Sequence, residues 1–240
     1  MLISENIEIH DLALFLKKEK VLIISDLHLG YEELWQKKGI LVPNFQYEDI
    51  KKRLRPILET TKPNQVIING DLKHEFGKIS QQEWNEVKGI LTFLKSYCNK
   101  IKLVKGNHDN ILGPIARHKE VELVDYIQLG KVYITHGHRL PDARRLMPDA
   151  QIVLIGHEHP AIGISDGQRT EVYKCFLKGK WKNKTLIVQP SFCLVTEGTD
   201  VLQEGVLSPF LKGQNLKEFE VWVVADVVRA FGEIGNLIKR

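Results

Sequence analysis

Five short apolar runs rich in β-branched residues, at 21–25, 66–69, 101–104, 132–135 and 152–155, each stop at a cluster of aspartate, asparagine or histidine. Runs of this length and composition predict buried strands. Asp26 and His28 follow the first, Gly70-Asp71 the second, and Gly106-Asn107-His108-Asp109 the third. His136-Gly137-His138 follows the fourth and Gly156-His157-Glu158-His159 the fifth. In open α/β sheets the loops leaving strand carboxyl ends converge on one crevice, and ligands bind there. Five clusters far apart in the chain can therefore become one site.

The segments between the first three runs have helical periodicity. Over 81–97, Trp84, Val87, Leu91 and Leu94 fall on one face, which reads as core, and Ser80 with Glu83 forms a capping-box pattern. Over 47–60, Ile50, Leu54 and Leu58 recur at four-residue spacing, and Pro56 predicts a kink or an early end. Strands alternating with helices build a largely parallel sheet through right-handed crossovers, so the first half reads as α/β. Beyond it, 184–189 and 219–225 add strands, which predicts a second sheet packed on the first. The alternating apolar residues of 219–225 suit an edge strand, and an edge there is a ground for expecting a homodimer.

A chain of 240 residues that is 43% hydrophobic can bury a substantial core, and a single domain over 1–240 is expected. No run approaches the roughly 18 apolar residues of a membrane span, and the chain opens on polar and acidic residues, so a soluble cytoplasmic protein is expected. Cys98, Cys175 and Cys193 are scattered without CxxC spacing, which argues against a disulfide framework or a cysteine zinc site. The net charge of +4 suits an acidic substrate without forming the dense basic patch of a dedicated nucleic-acid binder. Low-complexity blocks, internal repeats and linker-like stretches are absent from the sequence.

A lone Asp-x-His after a strand is usually a turn residue beside a surface histidine. The clusters gain their meaning jointly: of nine histidines, only His10 and His118 lie outside them or away from Asp71. Imidazole, carboxylate and amide oxygen without thiolate form a ligand set for manganese, iron or zinc. Asp26, His28, Asp71, Asn107, His136, His157 and His159 are more ligands than one ion takes. Two catalytic ions about 3.5–4 Å apart can share a bridging carboxylate, and Asp71 is the candidate bridge.

In this order the motifs resemble the calcineurin-like metallophosphoesterase superfamily, whose pattern Asp-x-His, Gly-Asp, Gly-Asn-His-Asp, His and Gly-His-x-His is matched from Asp26 to His159. Within it, Asp26-Leu-His-Leu-Gly-Tyr, Gly70-Asp-Leu-Lys-His74 and Pro190-Ser-Phe are similar to the SbcD-related phosphoesterases of archaea, near the nuclease subunit of break-repair complexes. The motifs span roughly residues 21–160. The resemblance implies two packed mixed sheets flanked by helices in αββα layers. It implies two divalent ions, manganese first among candidates, one held by Asp26, His28, Asp71 and His159 and the other by Asp71, Asn107, His136 and His157. Water bridging the ions is then the nucleophile, His108 protonates the leaving oxygen or stabilises its charge, and Asp109 orients the His108 ring. The implied activity is that of a phosphodiesterase or nuclease acting on DNA, RNA or nucleotide diesters, with DNA-repair proteins as partners.

Lys73 and His74 stand where many members carry an acidic or other polar residue after Gly-Asp. His74 then either supports the site or substrate, or is a solvated loop residue. His138 either meets substrate phosphate or donates to backbone in its turn. Arg139, Arg144 and Arg145 either guide a phosphate backbone or form a solvated charged face. The tyrosine of purple acid phosphatases is missing, which argues against their mixed-valence iron chemistry. A metal-binding scaffold without activity and a phosphomonoesterase or protein phosphatase are the competing functions.

Overall fold

The computed structural model describes residues 1–76, 79–109, 112–142, 149–165, 167 and 169–237, together with backbone but not side chains at 115 and 118. Arg144 and Arg145 lie outside the described residues. The first sheet holds β1 (Leu2–Ser4), β2 (Ile7–His10), β3 (Ala13–Leu16), β4 (Val21–Ile24), β5 (Gln65–Asn69), β6 (Lys100–Val104) and β7 (Glu122–Val124), in that spatial order. β1 to β4 pair antiparallel, and β4 to β7 pair parallel. The parallel part uses the crossovers expected from sequence: α1 (Tyr31–Lys37) and α2 (Gln46–Thr61) lie between β4 and β5, and α3 (Gln81–Lys95) lies between β5 and β6.

The second sheet contains β8 (Ile127–Leu129), β9 (Val132–Ile134), β10 (Ile152–Ile155), β11 (Pro160–Ser165), β12 (Thr170–Trp181), β13 (Lys184–Val188), β14 (Thr199–Asp200), β15 (Glu220–Val224) and β16 (Val228–Glu233). β9, β10 and β13 are parallel neighbours, and β12 is antiparallel to β11, β13 and β15. The expected pair of mixed sheets is therefore present. Residues alternate along the second sheet between two cores. Leu154, Phe176, Ile187 and Trp222 face the first sheet, whereas Val153, Ile155, Leu177 and Val221 pack outward with Phe210, Leu211 and Ile234. α2 and α3 bury Ile50, Leu54, Leu58, Val87, Leu91 and Leu94 in the inner core cluster. The outer cover of the second sheet is thinner than a full helix layer: the strand-free stretch 201–219 and the short helix Ile234–Leu237 supply it.

Two expectations are corrected. The early end at Pro56 does not occur: α2 continues through it to Thr61, the proline being exposed so that water can satisfy the carbonyl it leaves without a donor. β15 is not an edge strand, since it pairs with β12 on one side and β16 on the other. The edge ground for a homodimer at 219–225 is thereby removed.

The capping box of α3 reaches beyond its own helix. Ser80 Oγ accepts from Glu83 N at 3.0 Å, and the buried Glu83 carboxylate accepts from the backbone amides of His74, Glu75 and Ser80 at 3.2, 2.8 and 3.4 Å. One side chain thus starts a helix and fixes the loop that leaves β5. Glu83→Ala is expected to lower the unfolding free energy by about 1–3 kcal/mol through these orphaned amides, read by urea denaturation. A loss no larger than that of a surface substitution would contradict this account.

Candidate metal centre

The local chain conformation explains why candidate ligands come in pairs two residues apart. Asp26, His28, Asp71, His157 and His159 have φ of 54°, 47°, 47°, 64° and 50°, all left-handed. In both Asp26-x-His28 and His157-x-His159 the outer residues turn to one side. The middle residues go elsewhere: Leu27 is buried in the core, and the Glu158 carboxylate accepts from the amides of Leu207 and Ser208. Left-handed backbone costs on the order of 1–3 kcal/mol per non-glycine residue, so surrounding bonds must enforce it. Asp26 N donates to Gly70 O at 3.1 Å, His28 N to Asp71 O at 2.9 Å, and His157 N to Asp26 Oδ2 at 3.0 Å. From the second sheet, Phe192 N donates to Ser25 O at 2.8 Å and Cys193 N to Asp26 O at 3.0 Å.

The seven expected ligands meet. Asp26, His28 and His159 form one group of donor atoms within 4.8 Å of one another, and Asp71, His136 and His157 form a second. His28 Nε2 is 3.2 Å from His159 Nε2, and Asn107 Oδ1 is 3.2 Å from His136 Nε2. Asp71 Oδ2 joins the groups, at 3.2 Å from His136 Nε2 and 3.8 Å from His28 Nε2. Each group can hold one ion with Asp71 between them.

The donor set fits a cation. Asp26 Oδ1 is buried and accepts no hydrogen bond among the described residues, although His159 Nε2 stands 3.2 Å away. Burial raises the Asp26 pKa, but His159 and His136 outweigh it and hold the carboxyl at about 2. Burial also opposes ionisation of Asp71, yet His136 and neighbouring imidazoles keep it far below the carboxylate range. For His28, burial and then His159 lower the pKa well below the usual value, and burial and then His136 bring His157 to about 4. Both rings are therefore neutral and have lone pairs to offer. Burial disfavours charge on His136 as well, but Asp26 and Asp71 raise it to about 9. A metal ion bound at that ring would compete with a proton for its nitrogen.

His74 sits against the first group. Its Nδ1 is 3.3 Å from His28 Nδ1, which leaves His28 Nε2 toward the ligand cluster, and its carbonyl receives a short hydrogen bond from His108 Nδ1. His108 Nε2 then faces inward, 3.8 Å from Asp71 Oδ2. The orienting role expected of Asp109 is corrected by this geometry. The Asp109 carboxylate accepts from Leu72 N at 3.1 Å and Gly106 N at 2.9 Å, tying the loops after β5 and β6 together, while the His74 carbonyl orients the His108 ring. Burial and then Asp71 push the Asp109 pKa up to about 7. His138 lies beside His136 and His157 with ring centroids 5.3 and 6.1 Å away, and burial and then His136 lower its pKa to about 4. Arg139 is exposed and lies 3.5 Å from an Asp125 carboxylate oxygen.

Two supporting residues have no signal in the sequence. Gln46 donates to His28 O at 2.9 Å and accepts from Leu194 N at 3.1 Å, linking α2, the Asp26 loop and the segment after β13. Glu32 accepts from Gln46 N at 2.7 Å and keeps that helix start in place. Gly156 is needed for close approach, since a Cβ there would lie 2.0 Å from Ser25 Oγ and 2.4 Å from Asp26 Oδ2. Gly156→Ala is accordingly expected to displace Asp26 and to bind fewer metal ions than the two taken up by wild type, measured by elemental analysis after metal loading and dialysis. Retention of two ions would refute this reading of the close contact.

Residues 19–179 match the family model of calcineurin-like phosphoesterases. Among solved structures, nuclease MPE of Pseudomonas putida shares the fold with a TM-score of 0.64 at 20% identity, covering 91% of each chain. AQ665 of Aquifex aeolicus, a protein of unknown function, gives a TM-score of 0.38 at 21% identity over 58% of this chain and 78% of that one. Yfce, a phosphoesterase from E. coli, gives 0.39 at 16% identity over 84% of this chain and 86% of that one. No curated protein matches the chain. Among the described residues, no helix is long and apolar enough to cross a membrane. The family match spans most of the chain and covers the Asp, Asn and His side chains clustered here: this protein belongs to the calcineurin-like phosphoesterases, a family of metal-dependent hydrolases.

Proposed function

We propose that this phosphoesterase is a phosphodiesterase acting on nucleic acid or nucleotide diesters. The observation that carries the reading is the position of Asp71, whose Oδ2 lies within 3.8 Å of His28, His108 and His136 and so stands between both ligand groups and the proton donor. Asp26, His28, Asp71 and His159 hold one divalent ion, and Asp71, Asn107, His136 and His157 hold the other, with manganese the first candidate. When bound, the ions supply positive charge for the phosphate oxygens and an activated water as nucleophile.

The chain's own groups do the rest. Asp26 and Asp71 are the two carboxylates among the seven ligands, so the loaded cluster keeps a net positive charge suited to a diester monoanion. His108 has its Nδ1 engaged by the His74 carbonyl, which leaves Nε2 to hold a proton for the leaving oxygen. Asp109 and Glu83 keep the loops that carry Asp71, His74 and His108 in register. The nuclease among proteins of this fold is in keeping with a nucleic-acid substrate.

The test is hydrolysis of a chromogenic phosphodiester and of single- and double-stranded DNA by metal-stripped protein with manganese restored. His108→Ala is expected to lower kcat about 10²–10⁴-fold with metal content retained. Asp71→Asn is expected to lose activity together with bound metal. Absence of diester turnover in protein carrying two ions, or a preference for phosphomonoesters or phosphoserine peptides, would overturn the reading.

A further inference from the structure

The ligand cluster has an aromatic side. Phe76 is 55% exposed, yet its ring centroid lies 3.6 Å from that of His108 with the planes 33° apart. His74 and His108 are stacked at 5.5 Å and 26°, Tyr31 lies 3.9 Å from His74, and Trp35 lies 5.3 Å from Tyr31. Trp35, Tyr31, His74, His108 and Phe76 thus make a connected row of rings beside the candidate metal ligands. Phe76 ends the row with most of its surface in water.

Among the described residues, Phe76 belongs to neither hydrophobic core, so burial does not account for its position. Its backbone approach is held, because Glu83 accepts from the amides of His74 and Glu75 immediately before it, and its ring lies against that of His108. A bare phosphate gains nothing from an apolar ring beside a charged cluster. A planar π-system attached to the phosphate does gain, and base–aromatic stacking tolerates any base because each has a π-face. His108 must approach the leaving oxygen within hydrogen-bond reach, so the group attached to that oxygen passes Phe76.

We propose that Phe76 is a stacking platform for the nucleobase on the leaving-group side of the scissile phosphate, making this a base-engaging enzyme rather than one for alkyl diesters. The inference rests on the phosphodiesterase reading above and names its substrate class. An alkyl leaving group such as glycerol lacks a face to stack and forgoes this contact.

The test compares two phosphorothioate-linked oligomers of equal length and charge, oligothymidylate and its abasic counterpart, by equilibrium binding to manganese-loaded protein. Wild type is expected to prefer oligothymidylate by about 5- to 150-fold, the range of one stacked base. Phe76→Ala is expected to collapse that ratio toward one, and Phe76→Tyr to preserve it. Equal wild-type affinities, or a ratio unmoved by Phe76→Ala, would overturn the proposal. Thymidylate binding through Phe76 without cleavage of any diester would instead refute the phosphodiesterase reading, so the two failures are distinguishable.

Discussion

The structure is organised around a buried carboxylate that cannot be left uncompensated. Asp71 stands at the end of a central parallel strand, 1% exposed, where an isolated negative charge is strongly disfavoured by desolvation. His28, His108 and His136 approach it from the loops of three other strands, and His108 N donates to its Oδ1 at 2.9 Å. Each of these groups is costly by itself at that depth. Together they form an arrangement whose remaining demand is positive charge, which is what two divalent ions supply.

Holding that arrangement requires strained backbone, and the fold supplies the restraint. Five candidate ligands have left-handed conformations, and their amides and carbonyls are cross-linked between loops of both sheets. Gln189 Nε2 bonds to Leu12 O and Ile23 O at 3.0 Å each, so the second sheet is also tied to the first just below the Asp26 loop. The sandwich therefore keeps the Asp26 and Asp71 loops of one sheet facing the His136, His157 and His159 loops of the other. Such preorganisation places binding energy in the site before substrate arrives.

Much of this was legible in the sequence, for physical reasons. Ligand chemistry admits few residue types, and the α/β pattern places them at strand ends, so Asp26 to His159 could be gathered without coordinates. Ser80 and Glu83 announced a helix start because the capping box is a local pattern. The first three strands carry little sequence signal because each is only three or four residues long and belongs to an antiparallel extension of the sheet. β12 was obscured by Lys174, Lys178, Gly179 and Lys180, which break an apolar run that pairs with three neighbours. Asp109 misled through adjacency: the carboxylate next to His108 in sequence points to the amides of Leu72 and Gly106. Gln46 and Phe76 carry no periodic or motif signal, and their roles depend on how loops close around the site.

The most direct measurement of the central claim is anomalous diffraction from a crystal of the manganese-loaded protein. Two peaks about 3.5–4 Å apart are predicted, with an Asp71 oxygen between them, Asp26, His28 and His159 on one and Asn107, His136 and His157 on the other. A single ion, or two ions that share no Asp71 oxygen, would contradict the account.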